Sequence, residues 1–362
     1  KSAKRGASAS AAALMQQLVP HQAEKEEALP AGVRDIDAGE EDDPTLVSCY
    51  ARPVYKHLME VEVRSATLSR AALVLPTCAV LNIHYIQRND AAISARGARC
   101  SLTTAACAPQ QKYRPDPQYM THQNDINANM RGILVDWLVE VSEEYKLHTE
   151  TLFLSINYID RFLSRNNVQR GKLQLVGITC MLVAAKYEEI YPPSVEDFVY
   201  ISDNAYSREQ VIAEEVKLLN ALKFHCTVAT SRQFLRRFAK AARADHTTHE
   251  MAHYLAELSL LDINFVKFPP SVIAAASILI AINTTHLFGY GNLNWDATMQ
   301  YYTTYSFEDL EPCANALLTA GKSSYNGSSQ FRAVKEKYSQ GKFDNVANRR
   351  LCDSLSKYTS VA

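Results

Sequence analysis

Catalysis needs nucleophiles, titratable groups or metal ligands at workable spacing, and this chain scatters them. Its ten histidines include no His-Glu-x-x-His run and no Cys/His spacing suited to zinc. The eight cysteines, at 49, 78, 100, 107, 180, 226, 313 and 352, form no Cys-x-x-Cys pair. Several lie inside apolar helical runs, the pattern of reduced, buried thiols in a cytosolic or nuclear protein. Glu188-Glu189 is a carboxylate pair in sequence only. Adjacent helical side chains point about 100° apart and cannot jointly flank one bond. Gly289-Tyr290-Gly291 lacks a preceding strand and a third glycine, so it is no nucleotide-binding turn. These residues predict no enzyme, no metal site and no cofactor. What remains is the chemistry of recognition.

The recognition signal is strongest over residues 130–147. Met130, Ile133, Leu134, Trp137, Leu138, Val141 and Tyr145 follow the i, i+3, i+4, i+7 rule of a helix. Leu134 and Leu138 can serve a core alone, so Met130, Ile133 and Trp137 are more than one core face needs. Glu140, Glu143 and Glu144 border that surplus. An apolar strip with an acidic edge suits a basic-apolar peptide; the competing reading is a buried core helix. Two charge pairs stand out as well. Arg131 and Asp160 sit inside otherwise apolar helices and are expected to satisfy each other. Lys186 ends an apolar run and Glu215 lies on a later helix. On spacing alone, each is a surface charge with an intramolecular mate.

These side chains need helices to position them. At 362 residues and 47% apolar, the chain can hold two ordinary domains with real cores. Thirty-eight Lys and Arg against 39 Asp and Glu leave no global field for nucleic acid or anionic lipid. No apolar run reaches the length of a membrane span, and no signal peptide precedes the body. A chain that begins at Lys1 is expected to lack its native amino terminus. Residues 1–45 read as a disordered, increasingly acidic tail, and 46–63 as a short helix with Pro53 in its first turn. Residues 64–112 hold one acid, Asp90, against six Lys or Arg, and show no persistent period. They predict a loop or disordered insert. Arg70-Ala-Ala-Leu within them matches a destruction-box core only as a chance four-residue run would. Helices are predicted at 127–146, 149–164, 170–187, 194–201 and 207–222, then at 230–243, 247–263, 270–286, 294–303 and 306–320. The third of each set is apolar nearly all round, as a central bundle helix must be. The fold class is therefore all-α, with two tandem five-helix units and a tail over 346–362.

At this point the chain resembles a known family, the mitotic-type cyclins, and their A type in particular. The resemblance rests on Met-Arg-Gly-Ile-Leu-Val-Asp-Trp-Leu-Val-Glu-Val (130–141), Glu-Glu-Tyr-Lys-Leu (143–147) and Asn-Tyr-Ile-Asp-Arg-Phe-Leu-Ser (157–164). It continues through Arg-Gly-Lys-Leu-Gln-Leu-Val-Gly (170–177), Ala-Lys-Tyr-Glu-Glu-Ile-Tyr-Pro-Pro (185–193) and Phe-Val-Tyr-Ile (198–201). Later matches are looser: Glu-Leu-Ser-Leu-Leu-Asp (257–262), Pro-Ser-Val-Ile-Ala-Ala-Ala (270–276) and Lys-Glu-Lys-Tyr (335–338). The resemblance implies two cyclin boxes, at 113–227 and 228–345, behind an amino-terminal helix. In such relatives that helix runs almost directly into the segment matching Tyr113-Arg114-Pro115. Here 49 residues (64–112) intervene; a retained intron explains them, a genuine loop being the alternative. Closing a longer loop costs only about 0.6 kcal/mol per doubling, so the boxes need not be disturbed.

The resemblance also implies roles. The chain would bind and activate a cyclin-dependent Ser/Thr protein kinase in cell-cycle control, in nucleus and cytoplasm, without chemistry of its own. Lys186 and Glu215 would contact the kinase, with Asp203, Ile190 and Phe224, and with Tyr50, Val54 and His57 of the amino-terminal helix. Met130, Ile133, Leu134, Trp137, Glu140, Leu173 and Gln174 would form a groove for Arg-x-Leu substrates and inhibitors. Arg131 and Asp160 would be an internal tie. Gly132 stands where many relatives carry Ala, which is expected to weaken the helix by under about 1 kcal/mol with little effect on binding. Two rivals remain. A transcription-factor-type cyclin-box protein needs a basic face and usually a zinc ribbon, against a net charge of −1 and no paired cysteines. A scaffold with the groove but no kinase binding is disfavoured by the presence of both Lys186 and Glu215.

Overall fold

The computed structural model describes residues 29–37, 54–59, 114–285, 295–353 and 355. Tyr50, the 64–112 insert with its Arg70 run, and Gly289–Gly291 lie outside those residues. Residues 29–35 belong to one small unit, with a turn at Gly32, where φ is +83°. Everything described from Ile36 onward belongs to a second unit, which carries the described helices.

Among the described residues there is no strand, and the second unit is a succession of helices. The first set is α1 (Ala128–Glu144), α2 (Thr149–Leu163), α3 (Leu173–Glu188), α4 (Val195–Ile201) and α5 (Arg208–Leu222). The second is α6 (Ser231–Ala241), α7 (His246–Leu261), α8 (Pro270–Thr285), α9 (Ala297–Thr303) and α10 (Phe307–Tyr325), followed by a short α11 (Ala333–Tyr338). No described helix is long and apolar enough to cross a membrane.

Local signals set the helix starts. Asn127, Asp245 and Asp296 each accept a backbone N–H at an N-terminus, which satisfies donors the helix leaves orphaned. Ser194, Ser207 and Ser306 form reciprocal capping boxes with Asp197, Gln210 and Asp309. Packing then follows from the two helices that are apolar on every side. All of Leu175–Ala185 in α3 is buried, with α2 and α5 against it. All of Ser271–Thr284 in α8 is buried, with α6, α7 and α10 against it. Gly177 lets α1 close onto α3: an added Cβ there would lie 2.7 Å from Leu134 Cδ1.

The boxes meet through polar joins. Arg131 and Asp160 form a bidentate pair, Nε–Oδ1 2.7 Å and Nη2–Oδ2 2.7 Å, fully enclosed. Tyr119 donates to the same carboxylate at 2.7 Å, and Arg131 Nη1 donates to the Leu260 carbonyl of the second box at 2.8 Å. Lys337 is buried between Glu257 and Glu143. Attraction to Glu257 more than offsets its desolvation, which holds the ammonium's pKa above its ordinary value.

Three expectations change. Helix α10 runs five residues past the predicted end at 320, and Gly321 within it is a packing site. A Cβ there would overlap Leu351 and sit 3.3 Å from Leu255 Cδ2. The expected tail from 346 instead places Val346, Ala347, Leu351, Cys352 and Leu355 in the core. Within the expected disordered tail, Asp37 is buried on Arg237 through a two-point ion pair of 2.6 and 2.7 Å. Tyr55 and Tyr302 lie over that guanidinium, 5.4 and 5.1 Å from ring centroids, a desolvated cation between aromatic faces.

Candidate functional site

Two surfaces of the first box draw the singled-out residues together. The first lies at the carboxyl end of α3. Lys186 leaves the buried part of that helix and meets Glu215 of α5, Nζ to Oε1 2.6 Å. The lysine side chain is 44% exposed and the glutamate 16%. They are thus each other's mates, and the ammonium still faces outward. Beyond α3, Ile190 is 87% exposed, and beyond α5, Phe224 is 69% exposed. Tyr187 of α3 bonds Thr227 at 2.7 Å, and Tyr158 and Arg161 of α2 donate to the carbonyls of Cys226 and His225. These bonds hold the Phe224 loop beside the end of α3.

Phe224 itself has φ +58°. A bulky residue in the left-handed region is strained, and its side chain receives no core packing in return. Asp203, at φ +57° and exposed, ends α4 in the same conformation. Val54 and His57 are exposed on the helical residues 54–59. Tyr55 fastens that helix to the second box by donating to the Gln233 carbonyl at 3.1 Å. Gln233 in turn donates to buried Glu150 at 2.9 Å, as does Thr230 at 2.7 Å. Burial is the main reason the Glu150 carboxyl is pushed up to about 7; the field of nearby Glu188 adds to it, against the bonds from Thr230 and Gln233. These bonds tie the amino-terminal helix, through Gln233 of the second box, to the first turn of α2.

Sequence reasoning passed over Tyr191 and Val216, both exposed on this face. Each had a readable signal. Tyr191 precedes Pro192-Pro193, which forbids helix and keeps the chain extended, and Val216 follows Glu215 on an outward turn of α5.

The second surface is the outer face of α1. Ile133 is 55% exposed, Met130 and Trp137 are half-buried, and Leu134 and Leu173 form a buried floor with Gln174 at the edge. Asn129, Gly132 and Asp136 run along one side of this strip, where residues 330–333 of the second box lie. Of the three expected acids, Glu143 is taken by Lys342 at 2.9 Å and Lys337 at 3.3 Å. Glu144 is exposed at the end of α1. Tyr145 stacks on Phe198, 6.2 Å between centroids, and donates to the Asp197 carbonyl, so it anchors α4 rather than the strip. Glu140 has no ion pair or hydrogen bond among the described residues. Partial burial and the fields of Asp136 and Glu336 push its carboxyl up. A guanidinium arriving there would relieve that repulsion.

Gly132 proves to be more than a weak helix former. Phe331 packs on it so closely that an added Cβ would overlap the ring's Cζ and lie 2.9 Å from Cε1.

Comparison with known proteins is consistent over residues 102–350. Residues 102–227 match the family described as "Cyclin, N-terminal domain", and residues 229–350 match "Cyclin, C-terminal domain". "Cyclin-A1-1" of Arabidopsis thaliana is 45% identical over 265 residues, covering 71% of this chain and 56% of that protein. "G2/mitotic-specific cyclin-A" of Hydra viridissima is 47% identical over 242 residues, 66% of this chain and 56% of that one. The chain thus spans about half the length of the curated relatives it matches. In fold, it resembles a viral cyclin of herpesvirus saimiri, with a TM-score of 0.50 at 21% identity, over 56% of this chain and 90% of the other.

Proposed function

This chain belongs to the cyclin family and resembles its A-type members, and from that premise we propose that it binds and allosterically activates a cyclin-dependent protein kinase. The observation that carries the reading is the α3–α5 face, where exposed Ile190 and Phe224 flank the outward Lys186–Glu215 pair. Large apolar side chains stranded in water suit an interface core, and charges beside them suit its polar rim. The buried joins between the two boxes make this face rigid, so it can favour one conformation of a partner over another. That preference, not chemistry, is the mechanism. A surface that binds the competent kinase shape better shifts the population toward it. In the kinase, a Lys–Glu ion pair and the activation loop must be placed before phosphoryl transfer. The interface should bury over about 2,000 Å².

The α1 strip supports a second half of the proposal: capture of Arg-x-Leu substrates and inhibitors. The shelf takes the leucine, Glu140 takes the arginine, and docking raises the local substrate concentration. Nucleus and cytoplasm are the compartments such a role requires. The direct test mixes the full chain with a purified, inactive cell-cycle kinase and measures histone phosphorylation. Activation by at least about tenfold is expected. A protein that folds yet leaves every such kinase inactive overturns the proposal.

A further inference from the structure

The strip on α1 has a wall that comes from the other box. Residues 129, 132 and 136 follow i, i+3, i+7 and share a helix face; 130, 133, 137 and 140 repeat that spacing one position on. Along the first row lies the segment 330–333. Gln330 donates to Asn129, Phe331 sits on Gly132, and the backbone N–H groups of Arg332 and Ala333 donate to Asp136 at 3.2 and 3.0 Å. The ring is half-buried, so one side remains open beside exposed Ile133. Leu173 stands one turn before Gly177 on α3, on the face that Leu134 packs against, with half-buried Gln174 beside it.

Resting on the docking reading above, we infer that Phe331 is a specificity-determining wall of the peptide shelf and that Gly132 is the gap that admits it. The ring fixes the width of the shelf on its open side. An aliphatic leucine packs beside the ring on this strip, whereas a larger side chain at the same peptide position meets the ring. Any side chain at 132 drives the ring off its seat, because helix backbone holds Cβ in place while only the phenyl group can move. Gly132 therefore acts on peptide choice without touching peptide.

The test measures binding of two labelled peptides to the full chain, one with Arg-Ala-Leu and one with Arg-Ala-Phe. Wild type, W137A, F331A, G132A and G132A/F331A are compared, with a thermal melt of each. Wild type should prefer the leucine peptide, and W137A should lose both. F331A should weaken the leucine peptide by about tenfold, the order for reshaping an apolar pocket, and reduce the Leu-over-Phe ratio. G132A should do the same, and the double variant should be no worse than F331A alone. If W137A abolishes binding while F331A leaves both affinity and ratio within about twofold, the wall is refuted and the shelf stands. If wild type binds neither peptide, or W137A binds as well as wild type, the docking reading itself fails and takes the wall with it. Should F331A not fold, F331L keeps apolar volume without the flat ring and gives the same ratio.

Discussion

Exchanging the two charges of the α3–α5 pair, Lys186→Glu with Glu215→Lys, separates folding from function. The pair is 2.6 Å apart, with its lysine 44% exposed. Exposed ion pairs contribute about 0–1 kcal/mol, and the exchanged pair can re-form with the opposite polarity. The fold should therefore lose no more than about 1 kcal/mol, a melting shift of about 2–4 °C for a protein of this size class. A kinase surface shaped for an outward ammonium meets a carboxylate instead. Disturbing a buried, hydrogen-bonded charge at an interface costs about 2–5 kcal/mol, which is about 30- to 4,000-fold in Kd. Calorimetric titration with the purified kinase, beside a thermal melt, reads both quantities. Lys186→Ala and Glu215→Ala should each fall between wild type and the exchange. Binding within about threefold of wild type by a normally melting exchange variant would refute the reasoning, because this pair would then be an internal tie only.

Trp137→Ala should preserve activation on a short peptide substrate and lose at least about tenfold on a full-length Arg-x-Leu substrate; equal loss on both would mean misfolding. Glu150→Gln addresses pH. The folded carboxyl, pushed up to about 7 chiefly by burial, keeps its proton where the unfolded one has lost it. Its stabilising contribution is full below about pH 4.3 and is lost as pH rises through 7, on the order of 3 kcal/mol. The variant should flatten the melting temperature between about pH 5 and 8; an unchanged slope rejects this assignment. Arg131→Met leaves Asp160 buried with only the Tyr119 hydroxyl, so stability should fall by about 3–5 kcal/mol in a denaturant titration. A loss under about 1 kcal/mol would contradict the account of the joint.

The helices were legible because their signals are local. Apolar runs too broad for one face marked α3 and α8 as central, and eight of the ten predicted starts fall within one residue of the observed ones. The end of α10 was set too early: the helix continues through Gly321, whose place is explained only by the packing of Leu351 from beyond the helix. Asp37 and Leu355 were missed for the same reason, since their partners are remote in the chain. On the α1 strip, the surplus of apolar positions over core need was readable. Phe331 was not, because nothing near residue 331 indicates what it covers. The α3–α5 face entered through family resemblance. Its physical mark, exposed Ile190 and strained Phe224, is visible only in three dimensions.

One trait of the junction between the boxes bears on how such proteins diversify. Arg131 reaches the Leu260 carbonyl, and Asp136 accepts from the backbone N–H groups of Arg332 and Ala333. In both, one partner contributes only main chain, which every amino acid carries. Half of each clasp is therefore indifferent to mutation. A second lobe borrowed from a distant cousin, or one that has drifted far, should still snap onto the first, provided its backbone arrives at the same height.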